Sequence, residues 1–305
     1  MLASTTESGP HESVRTLLTG AIDYAGLFPP AQLSMSEAVI NYATYRNSNY
    51  SWMLGRFIVT AARLDEFYES ARDFISRDAA SVWNLSVVAG EDVNETIAQF
   101  NAFNAKNKGI AVCDSLEVKA ATVSKIDNTV AALPDGVTAY FEISMNDNFA
   151  DLVSTLAVKN QRAKIRTGGV TPDAFPKTLD VIRFVRACLA ANVPFKATAG
   201  LHHPIRCYSP LTYAADSPKG TMHGFLNVFM MTAFAREGYR SSLLEDVMEE
   251  EFAEVFRFED QAAIWRGEYS LSVWQLESLR KFGIQSFGSC SFDEPIADLQ
   301  KLGIL

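Results

Sequence analysis

Short, mostly apolar runs recur along the chain, separated by segments whose apolar positions repeat at helical period. The runs read as strands: Thr19–Tyr24, Arg56–Thr60, Trp83–Val88, a fourth stretch within Gly109–Ala120, Thr138–Ile143, Ala163–Thr167, Pro194–Thr198 and Ile284–Cys290. The fourth stretch offers two candidate pieces, Ile110–Cys113 and Leu116–Ala120. Between the runs, Met35–Tyr45 follows Ser34, and Glu37 completes a capping-box pattern. Leu64, Phe67, Tyr68, Ala71 and Ile75 share one helical face. Val93–Phe103, Thr178–Ala191 and Pro295–Leu302 are further predicted helices, the last opened by Asp293 and Glu294.

The first seven runs start roughly 25 to 35 residues apart, the length of a βαβ unit, so the strands are expected to lie parallel. Eight such units predict an α/β protein with a closed (β/α)₈ barrel, a TIM barrel, occupying residues 1–305 as a single domain. An open doubly wound sheet is the alternative, but no GxGxxG follows the first strand. Residues 1–12, rich in Ser, Thr and Glu, read as a mobile tail. Residues 200–283 separate strands seven and eight and read as a helical insertion, with helices at Met222–Arg236, Leu243–Phe256 and Ser272–Lys281. A βα connection of that length at the carboxyl face usually serves function, as a lid or a subunit contact.

Composition narrows the function classes. The 305 residues are 48% hydrophobic and 21% charged, which suits a folded core. A formal charge of −9 offers no broad cationic footprint, so neither nucleic acid nor an anionic membrane is an expected partner. The most apolar stretch, Phe225–Phe234, is shorter than the roughly 20 residues of a membrane span; it reads as core or as the interface of a homo-oligomer. Cys113, Cys188, Cys207 and Cys290 form no CxxC pair, and no signal peptide pattern opens the chain. Reduced thiols and a cytoplasmic location are the expectation.

Candidate chemistry lies where polar residues interrupt the strands. A parallel strand buried on both faces favours Val, Ile and Leu. The sixth and seventh runs instead carry Lys164, Arg166, Lys196 and Thr198, and buried lysine is rare unless paired or working. Gly168–Gly169 and Ala199–Gly200 end these strands, and the Thr167 and Thr198 hydroxyls are expected at the mouth. Arg166 supplies a planar fork for a carboxylate or phosphate. His202 and His203 follow the seventh strand and suit acid/base work. His223 and Asn227 lie one helical turn apart. Glu142 ends the fifth run. Glu117 and Lys119 share a face of the fourth, as an ion pair or as tuning groups. Asp23 is placed at the mouth after strand one, and Arg56 at the far end. Ser289 and Ser291 precede a helix start and read either as an anion cradle or as an ordinary cap.

The run Ala163-Lys-Ile-Arg-Thr-Gly-Gly169, followed by Phe195-Lys-Ala-Thr-Ala-Gly200, resembles class I aldolases of the deoxyribose-phosphate aldolase type. Those barrels carry a Schiff-base lysine on strand six and a second lysine on strand seven. The resemblance spans about 40 residues of the chain and implies that Lys164 forms an imine and that Lys196 lowers its pKa. Arg166, the His202–His203 pair and residues 200–283 are foreign to that pattern. The expected function is therefore an aldolase-like lyase acting on a small carboxylated or phosphorylated carbonyl compound. It would use Lys164, Lys196, Glu142, His202 and His203, with no cofactor and no metal. Two alternatives are a divalent-metal isomerase, epimerase or hydrolase using Glu117, Glu142 and His202 or His203, and a non-catalytic barrel that binds a metabolite or a partner.

Overall fold

The computed structural model describes residues 9–75, 82–145 and 147–305. Seven strands come first: β1 Ile22–Tyr24, β2 Leu54–Thr60, β3 Trp83–Val88, β4 Ala111–Lys119, β5 Thr138–Glu142, β6 Arg162–Arg166 and β7 Phe195–Thr198. A hairpin follows, β8 Cys207–Pro210 and β9 Lys219–Met222, then a small antiparallel sheet of β10 Phe256–Phe258, β11 Ala262–Trp265 and β12 Tyr269–Ser272. Strand β13, Ile284–Ser289, completes a closed barrel in the order β1-β13-β7-β6-β5-β4-β3-β2, with every neighbouring pair parallel. This is the TIM-type architecture expected from the strand spacing.

The period of two along each strand sorts residues between two environments. Phe57, Val59, Leu85, Val87, Leu116, Val118, Phe141, Ile165, Phe195 and Phe287 are all buried, and they belong to the apolar core shared with the surrounding helices. The alternate positions face the axis and are polar on most strands. Helices run between successive strands, among them Met35–Arg46, Leu64–Ala71, Val93–Lys106, Val123–Ala132, Phe149–Val158 and Thr178–Ala190. The capping box at Ser34 and Glu37 forms as expected, with Ser34 N–H donating to Glu37 at 3.0 Å and Glu37 N–H to Ser34 at 3.3 Å.

Several boundaries differ from the sequence reading for identifiable reasons. Strand β1 keeps only three residues because Gly20 takes a left-handed backbone (φ 59°) and Thr19 closes a helix over Glu12–Leu18. That helix overlaps the expected tail. Residues 1–8 lie outside the described residues, whereas His11 meets Asp260 at 2.9 Å and Glu12 is already helical. The two pieces proposed for the fourth strand are one strand with a bulge. Cys113 pairs with Leu85 and Ser115 with Ser86, so Asp114 is the extra residue.

The stretch 200–283 is mixed rather than helical. Helices Phe225–Arg236, Ser241–Met248 and Val273–Phe282 alternate with five short strands. Met222 belongs to β9 and Phe256 to β10, where the edges of predicted helices had been placed. The apolar helix Phe225–Arg236 is core: its first ten residues are all buried, and Phe225 stacks on Phe287 of β13 at 4.9 Å. Among the described residues no helix is long and apolar enough to cross a membrane.

The turns after β6 and β7 are locked together. A Cβ on Gly168 would lie 2.5 Å from Phe175 Cε1 and 2.8 Å from the Gly200 Cα. Ala199 and Gly200 both have positive φ, 63° and 77°. Thr167 Oγ donates to the Ala199 carbonyl at 2.7 Å and is fully buried, so its hydroxyl seals this seam instead of reaching the mouth. Gly168→Ala is expected to destabilise the protein by about 1–3 kcal/mol through overpacking against backbone, read as a lowered urea midpoint with an unchanged m-value.

Candidate active site

Five charged side chains from five strands form one continuous chain inside the barrel. Lys196 Nζ on β7 donates to Asp23 Oδ2 on β1 at 2.6 Å and to Glu117 Oε1 on β4 at 2.7 Å. The other oxygen of Glu117 lies 2.7 Å from Lys164 Nζ on β6, and Lys164 continues to Glu142 Oε2 on β5 at 3.0 Å. Charge therefore alternates, carboxylate to ammonium, across the interior. Asp23 and Glu117 accept further bonds. Asp23 takes the Arg56 backbone N–H at 2.8 Å and the Ser286 hydroxyl at 2.7 Å; Glu117 takes the Ser86 hydroxyl at 2.8 Å. Below this layer, Arg56 grips Asp114 through two bonds of 2.7 and 2.9 Å, and Arg162 donates to Tyr140, which donates to Gln285. Arg56 thus holds the structural position expected of it.

Lys164 and Lys196 are register partners on adjacent strands, but they do not confront each other bare, because Glu117 lies between them. Burial opposes the charge on Lys196, yet Asp23 and Glu117 outweigh it and hold the ammonium above the ordinary lysine value. Burial likewise pushes Glu117 up, but Lys164 and Lys196 pull it far below the ordinary carboxylate range. The Lys196 ammonium, which the resemblance implies as the cation beside Lys164, is paired with a carboxylate on either side. Asp23, expected at the mouth, is 1% exposed and lies beneath the cavity with Lys196. Glu117 is paired with the two lysines rather than with Lys119, which is exposed at the end of β4.

Above the network opens a cavity of about 650 Å³ at the carboxyl ends of the strands. Lys164, Glu117 and Glu142 line its floor, and Lys196 does not reach it. Lys119, Arg166, Thr198 and His202 are on its walls, together with three residues the sequence reading left out of the site: Lys125, Phe28 and Cys290. Lys125 carries no strand signal; it lies in the first turn of the helix after β4.

The two histidines part company, as adjacent residues on an extended backbone do. His202 Nδ1 lies 3.2 Å from Glu294 Oε2 and 3.9 Å from Cys290 Sγ; His203 Nδ1 lies 2.7 Å from Asp298 Oδ2 and is absent from the cavity lining. Tyr213, from the loop between β8 and β9, brings its hydroxyl to 3.3 Å from Glu294 and 3.5 Å from Cys290. Burial disfavours the His202 imidazolium, but the contacts with Cys290 and Glu294 prevail and raise its pKa to about 9. Nothing in the sequence pattern marked Glu294 as the meeting point of Tyr213 and His202, because the two contacts join positions 81 and 92 residues apart.

Other expected groupings do not assemble. Ser289 and Ser291 are not among the lining residues: Ser291 N–H bonds to Ser289 Oγ at 3.4 Å, and Glu294 N–H to Ser291 Oγ at 3.1 Å. Both hydroxyl oxygens accept from backbone N–H groups at the entry to the last helix, and neither residue lines the cavity. His223 Nε2–H donates to the Pro176 carbonyl at 2.9 Å, and Asn227 ties Arg206, Val247 and Glu250, so neither covers the mouth. The metal set of Glu117, Glu142 and a histidine is also not formed. Both carboxylates bind ammonium groups, and both histidines turn to other carboxylates. Among the described residues no group of three or more His, Cys, Asp and Glu side chains is placed to hold a metal ion.

Fold and site together define a TIM-type barrel with a charge-paired interior beneath a mouth cavity. Compared with known proteins, the chain matches no protein-family model and no curated protein.

Removing one member of a buried pair leaves an uncompensated charge, so Lys196→Ala is expected to cost about 3–5 kcal/mol in urea unfolding. Stability should peak near pH 6.5. His202, raised from 6.5 to about 9, contributes stability that is complete below 6.5 and is lost as pH rises through 9. His223, lowered from 6.5 by burial, contributes stability that is lost as pH falls below 6.5. Glu117 steepens the decline below 4.5 and Lys196 the decline above 10.5. Glu294→Gln should flatten the profile between 6.5 and 9 and move the His202 NMR titration towards 6.5; an unchanged His202 midpoint would show that Glu294 does not hold its proton.

Proposed function

We propose that the chain is an aldolase-like carbon–carbon lyase in which Lys164 forms an imine with a small carbonyl compound. One observation carries the reading: of the two buried ammonium groups, only Lys164 opens onto the cavity, and it does so between two carboxylates able to take its proton. The resemblance around Lys164 and Lys196 points to the same chemistry.

The activation step differs from simple cation crowding. A substrate filling the cavity displaces water from the Lys164–Glu142 pair. Loss of solvation disfavours the two charges relative to a neutral amine and carboxylic acid. The neutral Nζ then attacks the carbonyl carbon. One Nζ proton passes to the carbonyl oxygen, giving a carbinolamine; Glu142 then protonates that hydroxyl, which leaves as water, and the protonated imine remains. Cleavage of the carbon–carbon bond β to the imine carbon sends its electron pair towards nitrogen as an enamine, while Glu142 takes the proton of the substrate hydroxyl. His202, protonated at neutral pH, donates to the enamine carbon. Hydrolysis frees Lys164. Lys196 and Asp23 act as positioning residues, since they keep Glu117 ionised and aimed at Lys164.

Borohydride treatment in the presence of a panel of small aldehydes and ketones tests the reading by intact mass. The wild type should gain one substrate-sized increment on the peptide containing Lys164, and Lys164→Ala should gain none. Lys196→Met, if folded by circular dichroism, should trap at least about a hundredfold more slowly, in line with the usual weight of acid–base groups. A folded wild type that traps no carbonyl compound at Lys164 overturns the proposal and leaves a binding role for the cavity.

A further inference from the structure

One nucleophilic side chain at the cavity has no part in the lyase chemistry. Cys290 directly follows β13 and is only 5% exposed, yet it lines the cavity of about 650 Å³. Its Sγ lies 3.5 Å from the Tyr213 hydroxyl and 3.9 Å from His202 Nδ1. The same two groups meet Glu294 Oε2, at 3.3 and 3.2 Å. Two donors and two acceptors thus close a ring drawn from the loop after β7, the loop between β8 and β9, the end of β13 and the last helix. Asp293, the carboxylate beside Glu294, is bound instead by the Tyr45 hydroxyl at 2.8 Å. The other three thiols are placed differently. Cys113, Cys188 and Cys207 do not line the cavity, and burial pushes up the pKa of each.

We infer that Cys290 is a thiol–disulfide exchange site that takes small uncharged disulfides from the cavity. The ring supplies the proton movement. His202 is an imidazolium at neutral pH, so it does not take the thiol proton. Glu294 takes it across the Tyr213 hydroxyl, and the His202 Nδ1–H turns from the neutralised carboxyl group to the new thiolate. One anion faces the imidazolium before and after, so the transfer separates no further charge. The thiolate attacks one sulfur of the disulfide. A new S–S bond forms as the old one breaks, and the electron pair of the old bond goes to the leaving sulfur, which recovers the proton from Glu294. Cys290 is oxidised, and the departing half is reduced to a thiol. The place of β13 in the barrel, between β1 and β7, selects an uncharged reagent. The loop of Phe28, Pro29 and Pro30 follows β1 and His202 follows β7, whereas Lys119 and Arg166 come from β4 and β6. A charged end would be desolvated against that apolar loop. The half that remains on Cys290 occupies the cavity and keeps carbonyl compounds from Lys164. This consequence rests on the imine reading; the exchange itself does not.

Treatment of the folded protein with hydroxyethyl disulfide at neutral pH, quenched in acid and read by intact mass and peptide mapping, tests the site. Cys290 should gain one hydroxyethylthio group at least about tenfold faster than Cys207, and Cys113 and Cys188 should react only in urea. Cys290→Ser should lose the fast adduct, and Cys207→Ser should keep it. Tyr213→Phe and Glu294→Gln, each folded by circular dichroism, should slow it at least about tenfold, as loss of a proton-transfer group does. A thiol that is merely accessible would react in both variants as in the wild type. The dianionic dithiodiglycolate should react more slowly than the neutral disulfide. Borohydride trapping at Lys164 should fall after modification and return with dithiothreitol. A wild type that exchanges at Cys290 but traps no carbonyl compound sinks only the lyase reading. Exchange at Cys290 no faster than at Cys207, equal rates with the two disulfides, or an unaltered rate in both variants overturns the exchange site, even where carbonyl compounds are trapped on Lys164.

Discussion

The interior of this barrel is organised by the attraction between Lys196 and the two carboxylates it bridges. An ammonium group this deeply enclosed is tolerable only if opposite charge meets it at hydrogen-bond distance. Asp23 and Glu117 do so at 2.6 and 2.7 Å from strands on different sides of the barrel. That one contact draws β1, β4 and β7 into a common register. It also dictates what can stand above it: Glu117 has one oxygen committed to Lys196, and the free one meets Lys164. The chain of charges is therefore built upward from a sealed base towards a reactive end.

The same logic explains why the upper and lower parts of the interior differ in character. Near the amino ends of the strands, Arg56 with Asp114 and the Arg162–Tyr140–Gln285 series close the cylinder with bonds that have no opening to the cavity. At the carboxyl ends the pairing stops before the charges are exhausted. Among the described residues Lys119, Lys125 and Arg166 form no salt bridge there, and the His202 ring meets the Glu294 carboxylate at 3.2 Å. The stretch between β7 and β13 contributes to that rim through the Tyr213 hydroxyl and buries its apolar helix against β13.

Much of the architecture was legible in the sequence because strand and helix periods are local properties. The runs Trp83–Val88 and Ala163–Thr167 already stood out as strands, and polar residues within such runs marked Glu117, Lys164 and Lys196 as unusual. What could not be read was partnership. Glu117 was paired by proximity with Lys119, whereas the barrel pairs it with residues 47 and 79 positions away. Asp114 looked like a break between two strand pieces and is instead a bulge that frees a carboxylate for Arg56. Ser289 and Ser291 have the composition of an anion cradle, but their oxygens accept backbone N–H groups beside the last helix and neither lines the cavity. Tyr213 lay in a segment with no periodic signal at all.

The contact between Gly168 and Gly200 has a mechanical meaning for the mouth. With two backbones touching and Phe175 wedged against both, the turn after β6 and the turn after β7 have no slack between them. Arg166 sits two residues before one glycine and His202 two residues after the other. A pull exerted on the guanidinium at the rim is thereby transmitted to the imidazole loop as a rigid displacement rather than absorbed by soft rotation.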